Sequence, residues 1–346
     1  MDILSGVSEF FGLDIGTTSI RVVQLRGSGA IKTLDRYGSV PATHSMAVSD
    51  AKADQQKLVQ SVVQLCKQAG ITTKNVAVGV PSSRVFTTIV DMEKLSPTEL
   101  AKTIRYQVDS FIPTPLAESK IDWALLGDSP KDPTKSEVLL SSVSNDYIEG
   151  RLDILEGAGF NVIAFEPDTF ALMRAIVAPD ATLPEMVLDV GALSSDLVVV
   201  VNGAPRLSRS FPIGTDAIIR SAVAGLGVDA TQASQFVYKF GISRDKLEGR
   251  VYNAIINVVD NLMAEIEKSI KFFHGRYPNL KLDRIILTGG ASALPEFPLY
   301  VANKFAINVE IGNAWRNVSF PSSRQNELLS ISNHFAVACG LAERKT

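Results

Sequence analysis

The chain has 346 residues, 46% of them hydrophobic, with 34 Lys and Arg against 37 Asp and Glu and a formal net charge of −3. At roughly 150 residues per domain this is about two domains with ample core, which excludes disordered, collagen-like and disulfide-scaffold classes, and the near balance of charge gives no basic field for nucleic acid. The longest charge-free run, Leu328–Ala342, has fifteen residues, short of the roughly 18 apolar residues of a membrane span; Met1-Asp2-Ile3-Leu4 has no secretory flank, and Cys66 and Cys339 without a CxxC point to a reducing cytoplasm.

Asp14-Ile15-Gly16-Thr17-Thr18-Ser19 sets the first pattern: Asp, a β-branched residue, Gly and a hydroxyl-rich turn, then a strand over Ile20–Leu25. Arg26-Gly27-Ser28-Gly29 predicts a hairpin turn, with the chain resuming at Ala30–Leu34. Asp54–Gln68 carries Leu58, Val62, Leu65 and Cys66 at helical spacing and stops at Gly70, and Asn75–Val80 reads as a buried strand. Ser96-Pro97-Thr98-Glu99 has the hydroxyl cap, first-turn Pro and acidic third residue of a helix start, and Pro113 and Pro115 stop that helix after about Phe111. Strands Ile121–Leu126 and Glu137–Val143, joined by the loop Gly127–Ser136, lead to helix Asp146–Gly157 and strand Asn161–Phe165. Residues 86–165 thus read as a β-α-β-β-α-β-like insertion.

The second half repeats the first pattern 175 positions on, at Asp189-Val190-Gly191-Ala192-Leu193-Ser194-Ser195-Asp196. Leu197–Val201, Asn202-Gly203 and Arg206–Phe211 form a strand, a turn tolerant of positive φ, and a second strand. Thr215–Gly225 and Thr231–Phe240 predict short helices. Val251–Gly275 is a long one, striped by Val251, Ile255, Val258, Leu262, Ile266, Ile270 and Phe273. Leu282–Leu287 reads as a buried strand ending in Thr288-Gly289-Gly290.

Two Asp-x-Gly turns on opposite walls of a cleft suit a nucleotide phosphate tail with Mg²⁺. Glycine admits close backbone approach, Thr17, Thr18, Ser194 and Ser195 donate hydrogen bonds, and hydrated Mg²⁺ takes one or two carboxylates plus phosphate oxygens. The bland alternatives are that Asp14 and Asp189 only close turns, that Asp196 is a turn or strand-edge residue, and that Glu166 only caps a helix. His44, His274 and His334 have no ligand-spaced neighbours, and Gly225-Leu226-Gly227 follows a helix and lacks the third glycine of a dinucleotide fingerprint.

With these motifs in order, the chain resembles the actin-like ATPase superfamily along its whole length. Asp14–Arg21, with Gly16, resembles the first phosphate motif, Asp189–Asp196, with Gly191, the second, and Ile286–Ser292, with Gly289, Gly290 and Ser292, the adenosine motif. Phe165–Leu172 is similar to the connecting helix whose acidic or amide residue, here Glu166, faces the attacking water. The resemblance implies an α/β fold of duplicated ribonuclease-H-like halves, ATP between them, and Mg²⁺ held through water by Asp14 and Asp189. Glu166, Asp14 and Asp189 would carry any catalysis.

Within that superfamily the chain resembles the PilM family of type IV pilus assembly proteins. The carrying stretches are Phe11–Gly16, Ser96–Leu100, Phe111–Leu116 with Ile121-Asp122-Trp123, Phe211-Pro212-Ile213-Gly214 and His274–Pro278. This implies a cytoplasmic scaffold, peripheral at the cell membrane, that binds the N-terminal peptide of a PilN-like membrane protein in a groove between subdomains 1A and 1C, meets other pilus assembly proteins, and leaves homo-oligomerisation open. Gly214 joins the implied ATP residues. Subdomain 1A would take 1–85, completed by 166–185 and 325–346; 1C would take 86–165, 2A would take 186–219 and 276–324, and 2B would take 220–275. One departure stands out: where the family has Ala-Glu-x-x-Lys, this chain has Ala233-Ser234-Gln235-Phe236-Val237, which predicts weaker nucleotide affinity. The competing readings are a carbohydrate kinase, which needs a general-base Asp and a polar pocket, and an FtsA-like filament protein. The second of these expects a C-terminal amphipathic helix, whereas this chain ends Cys339–Thr346.

Overall fold

The computed structural model describes residues 9–27, 29, 31–49 and 51–345. Met1–Leu4, together with Ser28 and Ala30 of the expected first hairpin turn, lie outside them.

The first half begins with β1 (Phe11–Ile15), β2 (Ser19–Arg26) and β3 (Lys32–Pro41), followed by α1 (His44–Val48), α2 (Lys52–Ala69) and β4 (Asn75–Val80). β1 is buried at all five positions because β2 flanks it antiparallel and β4 parallel. α2 ends at Gly70, whose φ of +73° lets its N–H reach the carbonyls of Cys66 and Lys67.

The insertion supplies β5 (Val85–Glu93), α3 (Pro97–Gln107), β6 (Ser119–Asp128), β7 (Lys135–Ser144) and α4 (Asn145–Gly157). Ser96 and Glu99 cap α3 reciprocally, the Glu99 N–H donating to Ser96 Oγ and the Ser96 N–H to Glu99 Oε2 at 3.1 Å. The insertion's own sheet has only three strands, in the order β5-β7-β6, packed on Leu100 and Ile104 of α3 and on Val108 just after it. β8 (Asn161–Pro167) leaves it and pairs parallel with β4, and α4 packs Leu155 into the core of the first sheet. The first sheet runs β3-β2-β1-β4-β8, with a sixth, short strand from late in the chain, Val318–Ser319, parallel to β3 at its edge.

After α5 (Asp168–Ile176) the second half repeats the plan with β9 (Glu185–Val190), β10 (Ser195–Val201) and β11 (Ala204–Phe211). Asn202 and Gly203, at φ +51° and +72°, make the tight turn their sequence predicts. Helices α6 (Thr215–Leu226), α7 (Ala230–Phe240) and α8 (Arg250–Arg276) cover one face, and then come β12 (Arg284–Gly289), α9 (Phe297–Phe305), β13 (Asn308–Ile311), β14 (Val318–Ser319) and α10 (Gln325–Ala342). The five-stranded second sheet runs β11-β10-β9-β12-β13. On α8 the buried stripe includes Val259 and Met263, while Val258 and Ile270 are only partly covered: a stripe of spacing 3.5 drifts around a helix of 3.6 residues per turn.

α5 and α10 lie between the two sheets. Their core joins Leu172, Ala175 and Phe335 to Val187 and Val198 of the second sheet and Val23 of the first. The approach is close: a Cβ at Gly340 would overlap the Ala171 carbonyl, and one at Gly12 would meet the Ala342 N at 2.8 Å.

Candidate functional site

The twin hairpins have matching geometry. In β1–β2 the register sets Asp14 opposite Arg21, and in β9–β10 it sets Asp189 opposite Asp196. Each turn closes on one backbone bond of the same kind, Gly16 N–H to Ser19 O at 3.0 Å and Gly191 N–H to Ser194 O at 2.9 Å. The hydroxyls of Thr17, Thr18 and Ser194 donate no hydrogen bond to the chain among the described residues, so these three remain able to meet a ligand. α6 docks end-on against the second turn, its Thr215 and Asp216 N–H groups each 2.9 Å from the Gly191 and Ala192 carbonyls. Gly214 makes that approach possible, because a Cβ there would overlap the Ala192 carbonyl.

Around the turns, carboxylates accumulate. Asp14 is buried and ion-paired to Arg21 at 3.1 Å; burial pushes its pKa up and Arg21 pulls it back. Burial, then the negative charges of Asp196 and Asp14, raise Asp189 to about 7. Burial lifts Asp196 to about 6 against the pull of Ser210. Asp168, the first residue of α5, is raised by burial and then by Asp14, Asp196, Asp189 and Glu166. The Oδ1 atoms of Asp168 and Asp196 are buried without a hydrogen-bond partner among the described residues. Four carboxyl groups sharing low-dielectric space with one arginine disfavour one another's ionisation, a cost that a cation would relieve. The Oδ1 atoms of Asp168 and Asp196, partnerless among the described residues, fit the water shell of such a cation. Sequence reasoning missed Asp168. It read Asp196 as a turn or strand-edge residue, and Asp196 stands second in β10, where antiparallel pairing with β9 sets it opposite Asp189.

Three expected site residues are engaged elsewhere. Glu166, the residue before the last of β8, is engaged by arginines: it is bonded through both carboxylate oxygens to Arg174 and sits 3.3 Å from Arg344. Asp168 lies past the strand, at the first position of α5, so the passage from β8 into the helix separates its direction from that of Glu166. Ser195 is fully buried and spends its hydroxyl on the Ile213 carbonyl at 2.6 Å. Ser292 donates to Gly289 O at 2.6 Å and accepts from Asn333 Nδ2 at 3.2 Å, so it braces the Gly-Gly turn. Gly289 closes the cleft floor at φ +77°, where a Cβ would meet Asp189 Oδ1 and Val190 O at 2.5 Å.

Opposite Gly290 stands α7. A Cβ on Gly290 would lie 3.2 Å from the Tyr238 hydroxyl and 3.6 Å from Thr215 Cγ2. Ala233 and Val237 are fully buried in the second-half core, so the polar role of the missing Ala-Glu-x-x-Lys cannot fall on Val237. Tyr238, exposed by 41%, is the α7 side chain that reaches the Gly-Gly turn. Nothing in its sequence context marks it.

A second concavity, of about 390 Å³, opens between the insertion and the first half. Lys120, Trp123 and Ser142 of β6 and β7 form one wall, and Glu166, Phe170 and Arg174 the other. Glu166-Pro167-Asp168 therefore joins the two sites: Glu166 lines the groove and Asp168 the carboxylate cluster.

Comparison with known proteins agrees with this architecture. The family model described as type IV pilus assembly protein PilM matches residues 12–346. The chain is similar to a chain of the solved PilM-PilN type IV pilus biogenesis complex, with a TM-score of 0.82 at 24% identity, covering 97% of this chain and 98% of that one. It is also similar to the ethanolamine utilization protein EutJ from Carboxydothermus hydrogenoformans (TM-score 0.58, 14% identity, 96% and 88% covered). A further match is MreB5 of Spiroplasma citri bound to AMPPNP (TM-score 0.56, 11% identity, 96% and 95% covered). The fold is actin-like, two related α/β halves around a cleft.

Proposed function

This chain belongs to the PilM family of type IV pilus assembly proteins, and on that footing we propose that it is an adaptor with two linked sites. One site, between the halves, takes ATP with Mg²⁺. The other, the groove between the insertion and the first half, takes the N-terminal peptide of a PilN-like membrane protein. The observation that carries the reading is the tripeptide Glu166-Pro167-Asp168, which contributes one wall residue to each site.

On the nucleotide side, Gly16, Thr17, Thr18, Gly191 and Ser194 would meet the phosphates, Gly289, Gly290 and Tyr238 the adenosine, and Asp14 with Asp189 the water shell of Mg²⁺. The cation would supply the positive charge that the buried carboxylates and phosphates both need. Arg21 favours the ionised form of Asp14 against its burial, and α6 keeps the second turn rigid. Occupancy would shift Asp168 and, through Pro167, the groove wall at Glu166, a population shift driven by differential affinity. On this reading 1–85, 166–185 and 325–346 act as subdomain 1A, 86–165 as 1C, 186–219 and 276–324 as 2A, and 220–275 as 2B. No described helix is long and apolar enough to cross a membrane; recruitment to the inner face of the membrane would come through the PilN-like partner, and contacts with other pilus proteins, or between copies of this chain, would build on that.

The test is a pulldown with the partner's N-terminal peptide, with and without Mg-ATP, alongside calorimetry of Mg-ATP binding. Asp14→Ala is expected to remove Mg-ATP binding and to leave peptide binding at its nucleotide-free level. Unchanged ATP affinity in that variant would sink the site assignment.

A further inference from the structure

A second concavity of about 430 Å³ lies beyond the first, between the insertion and the second half. Val85, Leu139 and Pro205 line both. The two are therefore arms of one trough that bends around Pro205.

The second arm is bordered by two unbroken runs, Val85–Ile89 of β5 and Pro205–Ser210 of β11. Side chains of a strand alternate between faces, so consecutive lining residues mean that the strand edge, and not one face, borders the trough. Both strands are outermost in their sheets, β5 in the order β5-β7-β6 and β11 in the order β11-β10-β9-β12-β13. Sheet edges are normally defended by charge, proline or a bulge. Val85-Phe86-Thr87-Thr88-Ile89 has no such defence. Phe86 and Phe272, exposed by 37% and 62%, add apolar surface at this trough.

Its charge is one-sided. Arg206, Arg209 and Arg276 line the arm and no carboxylate does. Arg276 is matched by Glu137 and Asp91, and Arg206 by Glu137. Arg209 has no carboxylate partner among the described residues; it stacks over Phe211 and donates to Ser269 Oγ at 3.3 Å.

We infer that this arm binds the stretch of the membrane partner's tail that follows the peptide in the first arm, as an added β-strand of apolar character carrying an acidic side chain for Arg209. Continuity through Val85, Leu139 and Pro205 selects the same tail over an unrelated partner, and the single uncompensated arginine selects the acid. The five residues of β5 offer about 16 Å of edge at roughly 3.3 Å per residue, room for backbone pairing over several positions. The inference rests on the peptide-binding reading of the first arm.

The experiment uses the whole chain and two synthetic peptides from the partner's cytoplasmic tail, one of its first ten or so residues and one of the complete tail. Fluorescence anisotropy is expected to give the complete tail at least tenfold tighter binding, and hydrogen exchange to show amides of 85–89 and 206–210 protected by that peptide alone. Arg209→Glu and Phe272→Asp, both at exposed positions, are expected to bring the complete tail down to the affinity of the short peptide, whose own binding stays unchanged. Equal affinity of the two peptides, or variants that leave the complete tail unaffected, would overturn the inference while the first-arm reading stands. Failure of both peptides to bind would overturn both readings, and binding of the complete tail alone would refute the first-arm reading and with it this inference.

Discussion

Gly289 has φ +77° and ψ −177°, a conformation essentially confined to glycine, and its missing Cβ leaves room for the Asp189 carboxylate. Gly289→Ala is expected to destabilise the protein by about 2 kcal/mol or more through backbone strain and overlap, read as a fall in Tm; an unchanged Tm would refute the argument. Asp189 and Asp196, raised from 3.8 to about 7 and about 6, set a pH dependence. In the unfolded chain they ionise near 3.8, whereas the native state keeps their protons to higher pH, so between about pH 4 and 7 the native state binds more protons and stability falls as pH rises. His334, lowered by burial and then by Arg21, opposes this below its ordinary 6.5. In metal-free buffer Tm is expected to be higher at pH 6.5 than at pH 8, and Asp189→Asn to flatten the difference and raise Tm at pH 8. A steeper profile in that variant would mean that other groups set the dependence.

At the scale of elements, α10 holds the layer between the sheets together. Gly340 lies against the Ala171 carbonyl of α5, Lys32 Nζ donates to the carbonyls of Ala342 and Arg344 at 3.1 and 3.0 Å, and Trp315 Nε1 donates to Leu328 O at 2.8 Å. Gly340→Ala adds a methyl where backbone already stands, and overpacking of this kind costs about 1–3 kcal/mol; it is expected to lower Tm and to speed hydrogen exchange in both α5 and α10. Exchange that rises in α10 alone would mean that the two helices do not depend on each other. The sequence of α10 appeared only as a charge-free run, because its C-terminal half, Phe335–Ala342, is buried on nearly all sides, has no polar face and loses the periodicity by which helices are read. α8, with one solvent face, kept that periodicity and was legible from Val251 to Gly275.

Over the whole molecule, the insertion is tied to the second half by one buried carboxylate. Glu137 Oε1 accepts from Arg276 Nε and Tyr277 Oη, both at 2.8 Å, and Arg206 Nε lies 3.6 Å from Oε2. Removing one member of a buried charged network costs on the order of 3–5 kcal/mol, since the partners stay desolvated. Glu137→Gln is expected to lower Tm and to raise exchange across β5 and β7, with the first-half strands β1 and β2 less affected; uniform loss of protection would show that the insertion does not open separately. From sequence alone came what local patterns encode: the two Asp-x-Gly hairpins, the Ser96–Glu99 cap, the Asn202-Gly203 turn and the Gly-Gly after a buried strand, each a signal carried within about ten residues. Tertiary structure alone decided which acids meet. Strand pairing put Asp196 beside Asp189, the passage from β8 into α5 left Glu166 at the groove and Asp168 in the cluster, and packing committed Ser195 and Ser292 to backbone carbonyls. These outcomes depend on partners distant in the chain, and a side chain's direction and partners are fixed only when those elements pack.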